Sequence, residues 1–170
     1  MHRLFVLRHA KSSWDNSYLA DHDRPLAPRG RRAADALAEH VATIGPAPTL
    51  VLCSTARRAQ DTLAPVRERL PDRTDVLVEP DLYGATAPEL LARLRQVPEE
   101  TSDVLLVGHN PGLEDLVRGL GRDGDPALIG RVHSKFPTGA LATLAFGGSW
   151  TDLGSEPATL EAFVVPGDLQ

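Results

Sequence analysis

The chain has little cysteine, no long apolar run and no excess of positive charge. Its only cysteine, Cys53, cannot form an internal disulfide, which fits a reducing compartment. No stretch is long and apolar enough to span a membrane. The start, Met1-His2-Arg3, enters a strand pattern without the apolar region of a signal peptide. We therefore expect a cytoplasmic protein that has no membrane partner.

The charge balance is mildly acidic, with 18 Lys and Arg against 23 Asp and Glu and a formal net charge of −5. Nucleic-acid phosphates are bound by a basic face, so we expect no nucleic-acid partner. Any cationic site must be local. With 170 residues, of which 42% are hydrophobic, the chain can bury a substantial core, and we expect a single domain over residues 1–170.

Strand-like and helix-like runs alternate along the chain, which is typical of βαβ units. The predicted strands are 3–8, 49–53, 75–78 and 103–107. The predicted helices are 28–44, 56–70 and 88–97, followed by a helix that Asn110 can cap. Residues 121–139 predict a loop, and 140–146 and 160–165 predict strands, antiparallel at an edge. The fold prediction is a three-layer α/β/α sandwich with a mostly parallel central sheet and an antiparallel edge.

Two histidines lie where predicted strands end. His9 follows Arg8 after the apolar run 4–7, and His109 follows a second apolar run at 104–107. A third run, 50–52, leads into a helix that opens with Arg57-Arg58. Ligands of open α/β sheets bind outside the carboxyl ends of the strands, so these distant residues are candidates for one site.

This residue set suits a phosphoryl group. The planar fork of arginine gives phosphate bidentate, charge-assisted hydrogen bonds, and Arg8 and Arg58 would form the clamp. Nearby guanidiniums disfavour the protonated form of an imidazole, which keeps His9 ready as a nucleophile. His109 would stabilise the transition state.

Three segments in order resemble the motifs of the histidine phosphatase superfamily, whose members are phosphoglycerate mutase-like. They are Leu7-Arg8-His9-Ala10-Lys11, then Ser54 with Arg58-Ala59 and Thr62, then Gly108-His109-Asn110-Pro111. The short phosphohistidine phosphatase subgroup is the most similar, because Asp23-Arg24-Pro25-Leu26 followed by Gly30 resembles its signature. The family's first motif usually has Gly where this chain has Ala10.

The resemblance implies a role for each matching residue. His9 would be the phosphorylated nucleophile, with Arg8, Arg58 and His109 as the phosphate pocket and no metal or organic cofactor. Ser12 occupies a position that often touches the phosphate. Many members carry Asn three residues later, whereas this chain has Asp15, whose carboxylate would repel phosphate, and that contact is left open.

The usual acid of the family is missing at the matching position. Many relatives have a Glu there, whereas Asp81-Leu82-Tyr83-Gly84 places Gly at that point. An alkoxide leaving group needs a proton, but imidazole leaves far more readily, so the site fits P–N cleavage. Glu79 and Asp81 are substitute candidates for the proton donor. The short connections between 62 and 103 indicate an open pocket that could admit a residue on a protein surface.

Several side chains have a plainer interpretation. Arg57 competes with Arg58 and helical periodicity does not separate them, but the Arg58-Ala59 pairing favours Arg58. Lys11, Arg29, Arg31 and Arg32 could steer an anionic substrate, but a solvated face is the favoured interpretation. We predict His2, His22, His40 and His133 to be surface residues, and Trp14 and Trp150 to be packing residues, with Trp14 a candidate for the pocket rim.

Two rival mechanisms fit less well. A cysteine phosphatase needs five residues between Cys and Arg, whereas Cys53 to Arg58 leaves four, so we expect Cys53 to be a small buried residue. A metal hydrolase would need a companion cluster of ligands beside His9 and His109. The prediction is therefore a phosphohydrolase acting through a phosphohistidine intermediate on His9. Its partner would be a phosphohistidine-bearing protein, with two alternatives left open: a phosphatase for small phosphorylated substrates, and a non-catalytic phosphate-binding module.

Overall fold

The computed structural model describes residues 1–169 and centres on one sheet of seven strands. The strands are β1 (His2–Arg8), β2 (Leu50–Ser54), β3 (Asp75–Glu79), β4 (Asp103–Gly108), β5 (Asp123–Gly124), β6 (Leu141–Phe146) and β7 (Thr159–Val164). The helices are α1 (Pro28–Thr43), α2 (Arg57–Arg67), α3 (Ala87–Leu94), α4 (Gly112–Leu120) and α5 (Pro126–Ser134). Short 3₁₀ turns cover Asp21–Asp23, Pro80–Leu82 and Pro166–Leu169.

The strand order is β3-β2-β4-β1-β6-β7-β5. The first four strands in this order run parallel to one another, whereas β6 is antiparallel to both β1 and β7. The predicted mostly parallel sheet with an antiparallel part built by the chain's tail is therefore confirmed. In a parallel sheet the carboxyl ends of the strands share one edge, so β2, β4 and β1 bring their last residues side by side.

Helices cover both faces of the sheet, because alternate residues of each strand point to opposite sides. In β1, Leu4 and Val6 pack in the cluster that includes residues of α3, α4 and α5. Phe5 and Leu7 pack in a second cluster with residues of α1 and α2. Near-continuous apolar strands such as β4 are the expected consequence of burial on two faces. The three-layer α/β/α prediction is confirmed.

The prediction of a loop over residues 121–139 is wrong, because α5 and the short strand β5 lie within it. The Asp125 side chain accepts the Ala127 backbone N–H at 2.9 Å, and Pro126 occupies the first helical position. Asp before Pro is a helix start signal, which the surrounding glycines and aspartates concealed. The other predicted elements are present, with ends shifted by up to three residues.

The predicted burial of Trp150 is confirmed, whereas Trp14 and His2 differ from their predicted exposure. Trp150 is fully buried, as expected of a packing residue, whereas Trp14 is 72% exposed and stacks only under the Arg24 guanidinium, 3.2 Å from its ring centroid. His2 is not a surface residue, since its side chain is 12% exposed and packs against Trp150.

No helix within residues 1–169 is both long and apolar enough to cross a membrane. The expectations of a cytoplasmic location and of a single domain over 1–170 stay predictions.

Candidate active site

The carboxyl ends of three neighbouring strands bring the predicted site residues together. Arg8 is the last residue of β1 and pairs in register with Gly108, the last residue of β4. The backbone N–H of His9 donates to the Gly108 carbonyl at 3.1 Å, which continues the pairing past the strand ends. As a result the rings of His9 and His109 lie with centroids 5.2 Å apart, although a hundred residues separate them.

His9 is held in one tautomer. The side chain is buried, and its Nδ1–H donates to the Ala10 carbonyl oxygen at 2.8 Å. Since Nδ1 carries the proton, Nε2 keeps its lone pair. Burial, with smaller contributions from the charges of His109, Arg58 and Arg8, lowers the pKa of His9 to about 3 despite the opposing hydrogen bond to Ala10. A neutral imidazole with a free lone pair is the form that can attack phosphorus.

His109 is neutral for similar reasons. Burial, followed by the Arg58 charge, lowers the pKa of His109 to about 4. A hydrogen bond of 2.8 Å joins its Nε2 to the Ser54 hydroxyl at the end of β2, and the Tyr83 ring meets its ring edge-on at 5.5 Å. The Ser54 contact fixes the ring orientation, so His109 presents a constant surface to the space beside His9.

Arg58, rather than Arg57, belongs to this cluster. Its side chain is 9% exposed, and its two terminal nitrogens donate to the Asp21 carbonyl at 2.7 Å and the Asp21 carboxylate at 3.0 Å. Arg57 points away, with a side chain that is 54% exposed and pairs loosely with Asp61. Periodicity could not separate the two, and tertiary structure does.

Thr62 ties the helix of Arg58 to the loop of His9. Its hydroxyl donates to the Arg58 carbonyl at 2.7 Å and accepts the Ala10 backbone N–H at 2.9 Å. Thr62 is fully buried, so both bonds are shielded from water. This contact sets the distance between α2 and the end of β1, and therefore between the guanidinium and the imidazole.

Arg8 supplies the second guanidinium of the site. Its Nη1 donates to the Phe136 carbonyl at 3.0 Å, while its Nε is buried without a hydrogen-bond partner among residues 1–169. Within residues 1–169, the Nδ1 of His109 is the other buried side-chain nitrogen that has no hydrogen-bond partner. Buried polar groups without partners are uncommon and costly. Both belong to residues that surround His9, and a bound oxyanion offers the acceptor that the Arg8 Nε–H lacks.

Asp21 joins the site although the sequence analysis gave it no role. Besides holding Arg58, its carboxylate accepts the Tyr83 hydroxyl at 2.5 Å and the Arg24 guanidinium at 2.8 Å. The Tyr83 hydrogen bond, with those of Arg24 and Arg58, holds the pKa of Asp21 well below its usual range, and the same carboxylate raises the pKa of Tyr83. Its place two residues before the recognised motif at 23–26 was the available signal.

Ser12 lies in the site wall, where its hydroxyl accepts from Arg24. The Arg24 guanidinium also donates to the Ser13 carbonyl at 3.1 Å, so Arg24 holds the loop that contains Ser12 and Ser13 in place. Ser12 also forms an isolated antiparallel bridge with Leu26. Its contact with phosphate stays a prediction. Asp15 is exposed, and its backbone N–H bonds the Ser13 hydroxyl.

The two candidate proton donors lie differently. The Glu79 carboxylate accepts two hydrogen bonds from the Arg93 guanidinium, at 2.7 and 2.9 Å, so it is already occupied by another partner. Asp81 is exposed on the turn Pro80–Leu82. The side chain of this segment that reaches the histidines is Tyr83, and Gly84 follows it with φ at +73°, a backbone angle that disfavours other residues.

His22 lies at the surface as predicted, with a side chain that is 40% exposed, but it also contacts residues of the site, which the sequence analysis did not expect. Its Nε2 lies 2.8 Å from the Thr55 hydroxyl, and its ring meets Tyr83 edge-on at 4.9 Å. The Tyr83 ring therefore contacts both His22 and His109. His40 is half-buried, and His133 is exposed as predicted.

Cys53 is fully buried in β2, and burial raises the pKa of its thiol to about 12. A thiolate nucleophile is not available there at neutral pH, which disfavours the cysteine phosphatase mechanism. No group of three or more His, Cys, Asp or Glu side chains arranged to hold a metal ion occurs in the described part of the chain.

Comparison with known proteins agrees with this geometry. A family model, the histidine phosphatase superfamily (branch 1), matches residues 4–103. An uncharacterised protein of Mycobacterium tuberculosis is 38% identical over 162 residues, covering 94% of this chain and 99% of that protein. The chain belongs to the histidine phosphatase superfamily.

Two solved structures share its fold over almost their whole length. A protein from Nakamurella multipartitia, named as a candidate phosphohistidine phosphatase SixA, has a TM-score of 0.85 at 34% identity and covers 97% of this chain and 96% of its own. A protein from Agrobacterium tumefaciens with the same designation has a TM-score of 0.81 at 30% identity and covers 98% and 99%. Both are similar to this chain in their entire architecture.

Proposed function

We propose that this chain removes the phosphoryl group from phosphohistidine on a protein, through a phosphoryl intermediate on His9 and without a metal ion or organic cofactor. The observation that carries the proposal is the state of His9, whose Nδ1–H is committed to Ala10 at 2.8 Å while Nε2 keeps its lone pair. The names of the Nakamurella and Agrobacterium proteins support the same substrate class.

The reaction has two displacements at phosphorus. The substrate phosphohistidine enters with its second ring nitrogen protonated. The Nε2 lone pair of His9 forms a bond to phosphorus as the P–N bond of the substrate breaks, and the electron pair of that bond stays on the substrate ring, which departs as neutral imidazole. Water then attacks the phosphoryl group, the bond to Nε2 breaks, and inorganic phosphate leaves with the neutral His9 restored.

Arg8, Arg58 and His109 would meet the charge that develops on the equatorial oxygens. Arg58 is already oriented by Asp21, and Arg8 by the Phe136 carbonyl. Donors that are fixed before the reaction need no rearrangement in the transition state, which makes their hydrogen bonds effective. This arrangement also supports the proposal that the two guanidiniums supply the positive charge that a metal ion would otherwise provide.

The preference for a P–N bond follows from the missing acid. Gly84 occupies the position of the usual Glu, and Glu79 is held by Arg93. An alkoxide needs a strong proton donor as it departs. A phosphohistidine ring that is already protonated on its other nitrogen leaves as neutral imidazole, whose conjugate acid has an ordinary pKa of about 6.5, and so needs no donor from the site. The site as built therefore favours phosphohistidine over a phosphate ester.

A substrate comparison tests the proposal. The purified chain would receive a histidine-phosphorylated protein and a panel of phosphate esters, and kcat/KM would be measured for each. We expect a preference for phosphohistidine of at least about 100-fold, equivalent to about 2.7 kcal/mol in the transition state. Equal or better turnover of esters would favour the small-substrate alternative, and phosphate binding without any turnover would establish the non-catalytic one.

Two controls sharpen this test. His133→Ala removes an exposed histidine and should leave kcat/KM unchanged, whereas His9→Ala should abolish it. Activity should survive a chelator and be inhibited by vanadate, an analogue of the transferring group. Loss of activity in the chelator would contradict the proposed independence from metal.

A further inference from the structure

A cationic groove of about 840 Å³ lies beside the candidate active site. Four exposed cations line it, and we call it the basic groove: Lys11, Arg29, Arg32 and Lys135. The rest of its lining consists of small or apolar residues, and none of the lining residues is a carboxylate. Since the whole chain carries a formal charge of −5, this concentration of positive charge is local.

The four cations are free of partners within residues 1–169. No ion pair and no side-chain hydrogen bond involves any of them, in contrast to arginines such as Arg93 and Arg131, which pair with Glu79 and Asp168. Unpaired cations grouped on one surface create a positive potential that attracts an anionic partner. The groove is therefore suited to a ligand that brings several negative charges.

The groove is joined to the candidate active site through the backbone. Lys11 lies two residues after His9, and its carbonyl accepts the Ala27 N–H at 2.9 Å. A second connection runs through the segment that begins at Lys135. The next residue, Phe136, accepts a hydrogen bond from Arg8 at its carbonyl, and the Gly139 N–H donates to the His9 carbonyl at 2.9 Å. A macromolecule that inserts one residue at His9 would extend its neighbouring surface across this groove.

One stripe of α1 forms much of the lining. Residues 29, 32, 33 and 36 recur at helical spacing and present two arginines beside two alanines. Arg31 faces elsewhere, in a shallow depression that it shares with Asp35 and Asp61. All three arginines of the run are exposed, as the solvated-face interpretation expects, but the structure divides them between two surfaces.

The lining indicates what kind of polyanion fits. Proteins that bind single-stranded nucleic acid add aromatic side chains, which stack on the bases, to their cationic groove, and no aromatic residue lines this groove. Membrane surfaces are bound by large apolar side chains, and the exposed ones of this chain, which include Trp14, Tyr18 and Leu77, lie outside it. Small apolar residues between cations complement a protein segment that carries acidic and small apolar side chains.

We propose that the basic groove docks an acidic segment of the phosphohistidine-bearing protein while its phosphohistidine enters at His9. This inference rests on the proposed function for its substrate, and it adds the chemistry of the surface around that substrate. Charge complementarity of this kind raises the association rate and discriminates among partners. Acidic phosphohistidine proteins are therefore preferred over neutral ones.

The test uses two synthetic peptides with a central phosphohistidine, flanked by glutamate and alanine in one and by glutamine and alanine in the other. The full chain should hydrolyse the acidic peptide with a kcat/KM about ten-fold higher, mainly through a lower KM, and added salt should reduce the difference. In the double variant Arg29→Gln/Arg32→Gln the preference should disappear, while free phosphohistidine is hydrolysed as by the unmodified chain.

The matched control removes the same charge elsewhere. Arg31→Gln/Arg122→Gln changes two exposed arginines outside the groove and should retain the preference. Retention of the preference in Arg29→Gln/Arg32→Gln, or its loss in both double variants, would overturn the docking proposal.

A binding measurement separates this proposal from the proposed function. The unphosphorylated acidic peptide, labelled with a fluorophore, should bind the full chain in an anisotropy titration and bind Arg29→Gln/Arg32→Gln about ten-fold more weakly. This result is independent of turnover, so failure of both peptides as substrates would contradict only the proposed function. Tighter binding of a single-stranded oligonucleotide or of anionic vesicles, in competition with the peptide, would overturn the assignment to a protein.

Discussion

The candidate active site and the basic groove are both cationic, but they hold their charges differently. In the site, Arg58 is buried and fixed by Asp21, and Arg8 is held by the Phe136 carbonyl. In the groove, Lys11, Arg29 and their neighbours are exposed and make no ion pair within the described residues.

The difference matches two separate tasks. Catalysis benefits from donors whose positions are set before the reaction, and removing one should have a large effect on every substrate. Recognition of a protein surface benefits from flexible, solvated charges, whose individual effects are small and sensitive to salt. Each of the following predictions tests one side of this comparison.

Removal of Arg58 should have the largest effect. Arg58→Ala deletes a fixed guanidinium beside His9, and loss of one such donor typically lowers kcat by about 100- to 1,000-fold. The matched control is Arg57→Ala, one residue earlier on α2, where the side chain is 54% exposed. We expect kcat/KM on phosphohistidine to stay within about two-fold in that control. Equal losses in the two variants would remove the distinction between a fixed and a solvated charge.

Substitution of Gly30 should disturb the connection between groove and site. A Cβ at Gly30 would lie 2.0 Å from the Lys11 carbonyl oxygen, so Gly30→Ala must displace α1 or the loop after His9. We expect a loss of about 1–3 kcal/mol in the free energy of unfolding, measured by urea denaturation. Gly119→Ala, in α4, meets nothing within 4 Å and should be neutral or slightly stabilising. Similar results for the two glycines would contradict this packing.

Loss of the Asp21 carboxylate should have an intermediate effect on activity. Asp21→Asn keeps the shape of the side chain but weakens its hold on Arg58, which should lower kcat/KM on phosphohistidine about ten-fold. Free phosphohistidine and a protein substrate should be affected alike, because the change lies in the site and not in the groove. Asp23→Asn, whose side chain is 64% exposed, is the control and should be silent. A loss confined to the protein substrate would contradict the assignment of Asp21 to the site.

Burial of two neutral histidines should make stability depend on pH. The pKa values of His9 and His109 fall from 6.5 to about 3 and about 4, so the unfolded state binds more protons between these limits. Their contribution is therefore complete above pH 6.5 and is lost as the pH falls toward those lower values. Between pH 7.5 and pH 5, His9→Gln should lose less stability than the unmodified chain in urea denaturation, and the exposed His133→Gln should not differ from it. An unchanged slope in His9→Gln would contradict the buried neutral state.

The sequence predicted the parts of the fold and site that local patterns specify. Apolar runs located the strands, and their ends identified Arg8, His9 and His109 as neighbours, because parallel strands end at one edge of a sheet. The structure places these residues together, and their catalytic roles stay predictions. Helix α5 was missed because the glycines and aspartates that precede it, over residues 121–125, are typical of loops, although Asp125-Pro126 was a valid start signal.

Other features could not be read from local patterns. The hydrogen bonds of Asp21 with Tyr83 and Arg58 join residues 62 and 37 positions apart, and no spacing rule encodes such a contact. Helical periodicity likewise did not separate Arg57 from Arg58; the Arg58-Ala59 pairing favoured Arg58, and the structure shows that Arg58 contacts Asp21 while Arg57 is exposed. The division of Arg31 from Arg29 and Arg32 needed the position of α1 relative to the segment near Lys135.

The most direct test of the account is detection of the phosphoryl group on His9. The purified chain would be mixed with a radiolabelled phosphohistidine protein, quenched in alkali, and analysed for label that is stable to base and lost in acid. We expect such label on His9, located by peptide mass spectrometry, and none in a folded His9→Gln variant. Label on another residue, or undiminished turnover by His9→Gln, would contradict the central claim that the neutral His9 imidazole receives the phosphoryl group.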